Sequence, residues 1–317
     1  MTYRRYSRYL RDRFGAKVYK VSVDAGFTCP TLDGTKARGG CAYCNNASFK
    51  ARSVSRRLDL LAQIERGIAH QRQSQGATKF LIYFQNYTNT YGPVDELREL
   101  FEAALTVPDV VGLSISTRPD CLPPPVIELL AELAERTELW LEVGLESSHD
   151  KTLTAIQRGH DRACFTDAIH RLAEHPQILL ATHVIFGLPG ESDEDMLETV
   201  RYCSALPIRG IKLHHLHVVK GTILARDYEE QPFPLMDFER YLDLLCRVLP
   251  ELREDMILFR MFGVCPDELL IGPHWNLSKG KTHHLIDRAF AERGVVQGSA
   301  CELPALPELH PLAAGTR

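Results

Sequence analysis

Three cysteines stand closer together than the rest. Cys29, Cys41 and Cys44 fall within 16 residues, in the segment Cys29-Pro-Thr-Leu-Asp-Gly-Thr-Lys-Ala-Arg-Gly-Gly-Cys41-Ala-Tyr-Cys44, and the other six of the nine are scattered singly. Thiolates bind zinc and iron–sulfur centres, and three of them are one fewer than a closed four-cysteine cluster needs. A vacant coordination position is what a catalytic centre requires and a structural one avoids. Gly34, Gly39 and Gly40 allow the loop to turn tightly, and Lys36 and Arg38 add positive charge beside an anionic centre. Two other readings fit the same residues: a zinc site completed by one of the 13 histidines, or surface cysteines that cluster by chance.

Further polar residues follow apolar runs. Gln85 and Asn86 follow one, although a polar turn would use the same residues. Ser116, Thr117 and Arg118 follow another, and Arg118 suits either a bidentate contact to carboxylate or phosphate or an ion pair with Asp120. Glu142 sits inside Leu139-Trp-Leu-Glu-Val-Gly-Leu145, where an acid is costly unless satisfied. Glu146 is either its companion or a solvated loop acid. In Ile211–Val218, strand alternation places His215 on the face opposite His214, with His217 nearby. His215 and His217 are candidates for catalysis or substrate binding, with satisfied buried imidazoles as the alternative, and Lys220 could neutralise an anionic substrate.

The elements that must position these residues alternate. Apolar runs at Val18–Val23, Phe80–Phe84, Val110–Ile115, Leu139–Leu145, Leu179–Phe186 and Ile211–Val218 lack a clean period of two, as strands buried on both faces do. Helical patterns separate them, over 58–71, Val94–Leu105, Pro124–Glu135, Asp161–Ala173 and Glu194–Ala205. Six strand–helix units predict an α/β fold, a partial (β/α)6 TIM-like barrel over residues 21–231, with a full eight-unit barrel as the alternative. Residues 232–302 read as a helical C-terminal extension, with helices over Asp237–Leu249 and His283–Arg293. The proline-rich stretch 303–317 reads as an extended or disordered tail. Each candidate residue would then stand at the C-terminal mouth of the barrel, where loops carry chemistry.

The chain has 317 residues, 44% hydrophobic and 25% charged, with a net charge of -4. That is an ordinary globular composition, so nucleic-acid binding would need a local patch. Residues 1–20 offer one: seven Lys/Arg against the single acid Asp12, interleaved with Tyr3, Tyr6, Tyr9, Phe14 and Tyr19. Such a segment either holds single-stranded RNA or packs its tyrosines on the barrel bottom. Lys279, Lys281, His283 and His284 form a second basic cluster. No apolar run reaches the ~18 residues of a membrane span, and the N-terminus lacks the apolar stretch of a secretory signal, so a cytoplasmic protein without membrane contact is expected.

The motifs together resemble the YhcC-type radical SAM proteins, relatives of the radical SAM domain of the Elongator catalytic subunit. The resemblance covers about residues 3–295 and rests on Cys29–Cys44, Phe84-Gln-Asn-Tyr-Thr-Asn-Thr-Tyr91, Ser116-Thr-Arg-Pro-Asp120, Glu142-Val-Gly-Leu-Glu-Ser147, Arg158-Gly-His160, Phe186-Gly-Leu-Pro-Gly-Glu191 and Lys212 to Thr222. The first two cysteines stand farther apart than in the commonest radical SAM signature, as in this branch. The resemblance implies a [4Fe–4S] cluster on Cys29, Cys41 and Cys44 whose open iron takes the amino and carboxylate groups of S-adenosylmethionine. Reductive cleavage then gives a 5′-deoxyadenosyl radical. It implies cofactor contacts for Tyr43, Gln85, Asn86, Ser116, Thr117, Glu142, Arg158, Gly187 and Pro189. It further implies a flavodoxin or ferredoxin as reductant and points to the wobble uridine of tRNA, with a carboxymethylaminomethyl-type side chain as the preferred substrate. A small-molecule substrate, or a non-catalytic zinc- or cluster-bearing RNA-binding module, are the alternatives. The chain departs from the Elongator subunit in having too few residues after 231 for an acetyltransferase domain.

Overall fold

The computed structural model describes residues 2–48 and 59–308. Seven parallel strands form one curled sheet in the order β1-β2-β3-β4-β5-β6-β8. They are β1 (Val18–Val23), β2 (Lys79–Phe84), β3 (Val110–Thr117), β4 (Glu138–Glu146), β5 (Leu179–Phe186), β6 (Gly210–His215) and β8 (Ile257–Arg260). Between β6 and β8 the short β7 (Val218–Val219) leaves the sheet and pairs antiparallel with β9 (Leu270–Gly272). The helices are α1 (Tyr6–Phe14), α2 (Leu60–Gln75), α3 (Val94–Leu105), α4 (Pro124–Arg136), α5 (Asp150–Ala155), α6 (Arg162–Ala173), α7 (Asp193–Ala205), α8 (Ile223–Glu230), α9 (Phe238–Glu251) and α10 (Lys279–Glu292).

The partial barrel and its helical C-terminal part are thus as expected, with a seventh strand added from residues beyond 231. That strand has four residues and ends in Phe259 and Arg260, too short for a periodicity to show. The expected sixth strand stops at His215. Its neighbours end at Phe186 and near Arg260, so a longer strand would leave its backbone groups without partners, and the chain turns instead to meet β9. The start of the 58–71 helix lies outside the described residues; from Leu60 onward the helix is present, capped by Asp59, whose side chain accepts from the Ala62 N–H. Capping side chains also open α6 and α7: Asp161 bonds Cys164, and Ser192 and Asp195 make a reciprocal capping box.

The barrel interior is layered along the strands. At the bottom Leu81, Trp140 and Ala181 pack with Val18, Val111 and Ile257 against Tyr6 and Leu10 of α1. Tyr6 stacks on Phe259 at 3.8 Å and meets Trp140 edge-on at 5.7 Å. The Tyr9 hydroxyl donates to Glu138 at 2.5 Å, where Arg13 and the Trp140 indole N–H also donate. Tyr3 is buried with its hydroxyl on Asp287 of α10. Of the two readings of the N-terminal segment, the structure has the packed one: its first three tyrosines belong to the core, at the end opposite the cysteine loop. Residues 303–308 of the proline-rich stretch are tied to the barrel, Arg209 donating to the Pro307 carbonyl and the Leu306 N–H to Asp255. The stretch 309–317 lies outside the described residues.

Candidate active site

The cysteine loop leaves β1 and folds over the mouth. Backbone bonds from Leu32 and Asp33 to the Cys29 carbonyl, from Gly40 to Thr31 and from Cys44 to Cys41 close it into successive turns. Gly39 and Gly40 have φ of 93° and 81°, which only glycine adopts without strain. Ala42 then anchors the loop by bonds to Ile156 and Leu224.

All three thiols line one cavity, partly open to solvent. The Cys29 sulfur lies 2.9 Å from the Thr88 hydroxyl. Cys41 is flanked by two guanidinium groups, Nη1 of Arg158 at 3.5 Å and Nη1 of Arg118 at 3.8 Å. Burial pushes the Cys29 thiol above its ordinary value, and burial with the charges of Cys41 and Cys29 pushes Cys44 up much further. Among the described residues the one set of three ligand atoms drawn within 4.8 Å of one another is His149, Asp195 and Glu198, outside this cavity. A tetrahedral zinc with Zn–S of about 2.3 Å would hold sulfurs about 3.8 Å apart. The three thiols are not all within 4.8 Å of one another, so they do not stand as a preassembled single-metal triad.

Arg158 reaches Cys41 because β4 has a glycine where it passes. Its Nη2 donates to the Gly144 carbonyl at 2.9 Å, and a Cβ on Gly144 would lie 2.4 Å from that nitrogen. Glu146, at φ 75° after the β4 irregularity, pairs with Arg158 at 3.3 Å. Arg118 makes the predicted ion pair, donating through Nε and Nη2 to Asp120 at 2.9 and 3.1 Å, and also donates to the Arg158 carbonyl. Burial would raise the Asp120 carboxyl, but Arg118 and Lys36 outweigh it and bring it down to about 2. The arginines thus brace the cluster loop, and Arg118 is committed to Asp120.

Below the loop lies a layer of charge. Glu142, fully buried, accepts from Lys20 at 2.5 Å, Ser114 at 2.5 Å, Tyr83 at 3.1 Å and Lys212, with His183 Nε2 at 2.9 Å. Glu142, in the cavity wall, thus serves as counter-ion to the two lysines. The ammonium groups of Lys20 and Lys212 stand 4.4 and 4.5 Å from the Tyr83 ring centre. Burial pushes both lysines well below their ordinary value. Burial also holds His183 and His217 down at about 4, so both imidazoles are neutral near pH 7.

Tyr43, Gln85, Ser116, Thr117, Arg118, Glu142, Glu146, Arg158 and His217 line the cavity beside the cysteines. The rest of the predicted set does not. Asn86 turns behind the loop and donates to Asp24 at 3.4 Å. Gly187 and Pro189 form the turn after β5, where Met236 covers Gly187 and the Met196 sulfur meets its N–H. His215 faces away, as alternation requires, and stacks on Trp275 at 3.7 Å. Lys220 is exposed and donates to the Glu268 carbonyl. Sequence reading missed Lys20, Tyr83, His183, His214 and Arg260, all but Lys20 in the cavity wall. Their signal was a polar residue at every second position of strands otherwise apolar, legible only once the inward face is known.

Comparison with known proteins decides the family. The chain matches the family described as "Radical SAM superfamily" over residues 34–203, and "Radical_SAM C-terminal domain" over 208–292. The chain is a radical SAM enzyme. It is 38% identical over 300 residues to Protein YhcC of Escherichia coli, covering 94% of this chain and 95% of that one. Its radical SAM part is 30% identical over 167 residues to the tRNA-2-methylthio-N(6)-dimethylallyladenosine synthase of a Sulfurihydrogenibium species, covering 51% of this chain and 37% of that one. The fold matches the archaeal Elp3 of Methanocaldococcus infernus with a TM-score of 0.68 at 16% identity, over 89% of this chain and 64% of that one. As in its family, the cofactors are a [4Fe–4S] cluster and S-adenosylmethionine. The residues present fit them: three thiols line one cavity, with two guanidinium groups beside Cys41. No helix among the described residues is long and apolar enough to cross a membrane.

Proposed function

We propose that this radical SAM enzyme acts on the side chain of a wobble uridine in tRNA. The observation that carries the reading is the depth of the cavity. The polar layer at Glu142 lies two residues below Gly144, about 7 Å along the strand, so a nucleotide turned out of its loop could project a base substituent past the cofactor. Three facts support RNA as its bearer. The related synthase is a tRNA-modifying enzyme by name. The fold is shared with Elp3. Lys279, Lys281 and His284 are exposed at the start of α10, where His283 packs beside Phe262, two residues past the end of β8.

When bound, the cluster and S-adenosylmethionine supply a 5′-deoxyadenosyl radical after one-electron reduction by a flavodoxin or ferredoxin. The chain's own residues hold and shield. Cys29, Cys41 and Cys44 bind the cluster; Arg158 and Arg118 balance its charge; Tyr6, Trp140 and Phe259 seal the bottom against water. His217 Nε2 and His215 Nε2 lie 2.8 Å apart, and with both rings neutral one of them must donate. The test is 5′-deoxyadenosine formation with tRNA carrying a modified wobble uridine, against the same tRNA unmodified. Stimulation confined to the modified tRNA, with binding that weakens steeply as salt rises, is the expected result. Equal rates with either tRNA and without RNA would contradict it and favour a small-molecule substrate.

A further inference from the structure

The layer at the bottom of the cavity holds more positive charge than its own residues neutralise. Three cations enter it: Lys20 from β1, Lys212 from β6 and Arg260 from β8. Lys212 and Arg260 are register partners on adjacent strands. Glu142 is taken by Lys20 and Lys212, and Glu146, the other buried carboxylate of the cavity, acts on Arg260 at longer range but pairs with Arg158. Arg260 has no hydrogen bond or ion pair to any described residue, and its Nε is buried without a partner. Its charge is felt through the whole cavity: it lowers the proton affinity of Lys20, Lys212, His183, His214 and His217. A buried guanidinium with nothing to pair is costly in a resting protein, and its planar fork matches a carboxylate.

We propose that the cavity floor is an anion site, in which Arg260, beside Lys212 and above the aromatic bottom, receives a carboxylate at the far end of the substrate's side chain. A single carboxylate is the matching group because Glu142 is already held by both lysines and Glu146 by Arg158, which leaves the Arg260 fork to take one more. The carboxylate of S-adenosylmethionine is a different group, since it belongs at the open iron by the cysteine loop. The position also orders the substrate: with its anionic end on the floor, the carbons between that end and the base lie at the level of Ser116 and Gly144, below the cluster loop. The site deepens the wobble-uridine reading, which it uses only to choose the probe.

The experiment measures equilibrium binding to the anaerobic, cluster-loaded enzyme with S-adenosylmethionine present. The probes are 5-carboxymethylaminomethyluridine, its primary amide, N-methylglycine and N-methylglycinamide, each pair differing by the one carboxylate charge. Wild type should prefer each carboxylate to its amide by about tenfold or more, the worth of one charge-assisted pair of bonds. Arg260→Gln should bring that ratio near one, and Arg260→Lys should restore part of it; melting temperature and iron content show that each variant is folded, and the lysine variant carries the test if the glutamine one is not. Equal binding of carboxylate and amide by wild type, no binding of any probe, or an unchanged ratio in Arg260→Gln, would overturn the proposal. So would weaker binding of S-adenosylmethionine itself to Arg260→Gln, which would move Arg260 into the cofactor site. A carboxylate preference without preference for the uridine would uphold the floor and contradict the wobble reading; preference for the uridine without regard to the carboxylate would do the reverse.

Discussion

Glu142→Ala should be strongly destabilising although it leaves the cysteines untouched. Glu142 is fully buried, and its removal leaves Lys20, with 19% of its side chain exposed, and Lys212, with 8%, facing each other and Arg260 with no counter-ion. Breaking a buried pair by deleting one partner costs about 3–5 kcal/mol. The lysines have one escape, which is to lose a proton. From an unfolded value near 10.4, doing so at pH 7 costs about 4–5 kcal/mol for one lysine, at about 1.4 kcal/mol per pH unit. Both routes therefore put the loss in the same range, equivalent to a fall of about 6–10 °C in melting temperature for a chain of this size.

The pH dependence gives the sharper signature. A lysine whose folded-state value is depressed binds fewer protons in the fold than in the unfolded chain, so stability rises with pH between the two values. At pH 9.5 deprotonation costs only about 1 kcal/mol, and most of the variant's deficit should vanish. Urea unfolding of wild type and Glu142→Ala at pH 7 and pH 9.5 measures it. A deficit under 1 kcal/mol at pH 7, or one that is the same at both values, would refute the charge reasoning.

Two further outcomes follow from the same layers. Trp140→Ala should cost about 3–5 kcal/mol, because the indole is completely buried between Tyr6, Tyr9 and Phe259; a melting curve checks it. Acid should destabilise the fold before it reaches the carboxylates. His183 and His217 are held at about 4, so the unfolded chain binds more protons between about pH 6.5 and 4, and stability falls as pH is lowered through that window. Discounted for partial exposure, about 1 kcal/mol apiece should be lost by pH 5, and His217→Gln should remove its share of the slope in urea titrations.

Much of the frame was legible because buried parallel strands write themselves as apolar runs. β1 and β5 begin and end where their hydrophobicity does, and α3 likewise. What the sequence hid depends on neighbours. Four residues of β8 become a strand only because β6 offers an edge, and β6 ends where that edge ends. The cysteine triad was plain from spacing alone, whereas Lys20 and Arg260 belong to the site only through the curl of the sheet. Glu142 was singled out as a costly buried acid, and the cost is met by lysines 122 and 70 residues away, a pairing no local pattern encodes. The N-terminal tyrosines carry the composition of an RNA-binding segment and serve as a plug, since aromatics suit both tasks.

The most direct test of the radical chemistry is 5′-deoxyadenosine formation by protein purified without oxygen, reduced with dithionite and given S-adenosylmethionine, beside variants with Cys29, Cys41 or Cys44 replaced by alanine. Wild type should carry about four iron and four sulfide per chain and release 5′-deoxyadenosine, alone or on addition of wobble-modified tRNA, while each variant loses both cluster and product. One zinc per chain in place of iron, or an iron-loaded wild type that yields no 5′-deoxyadenosine with or without that tRNA, would contradict it.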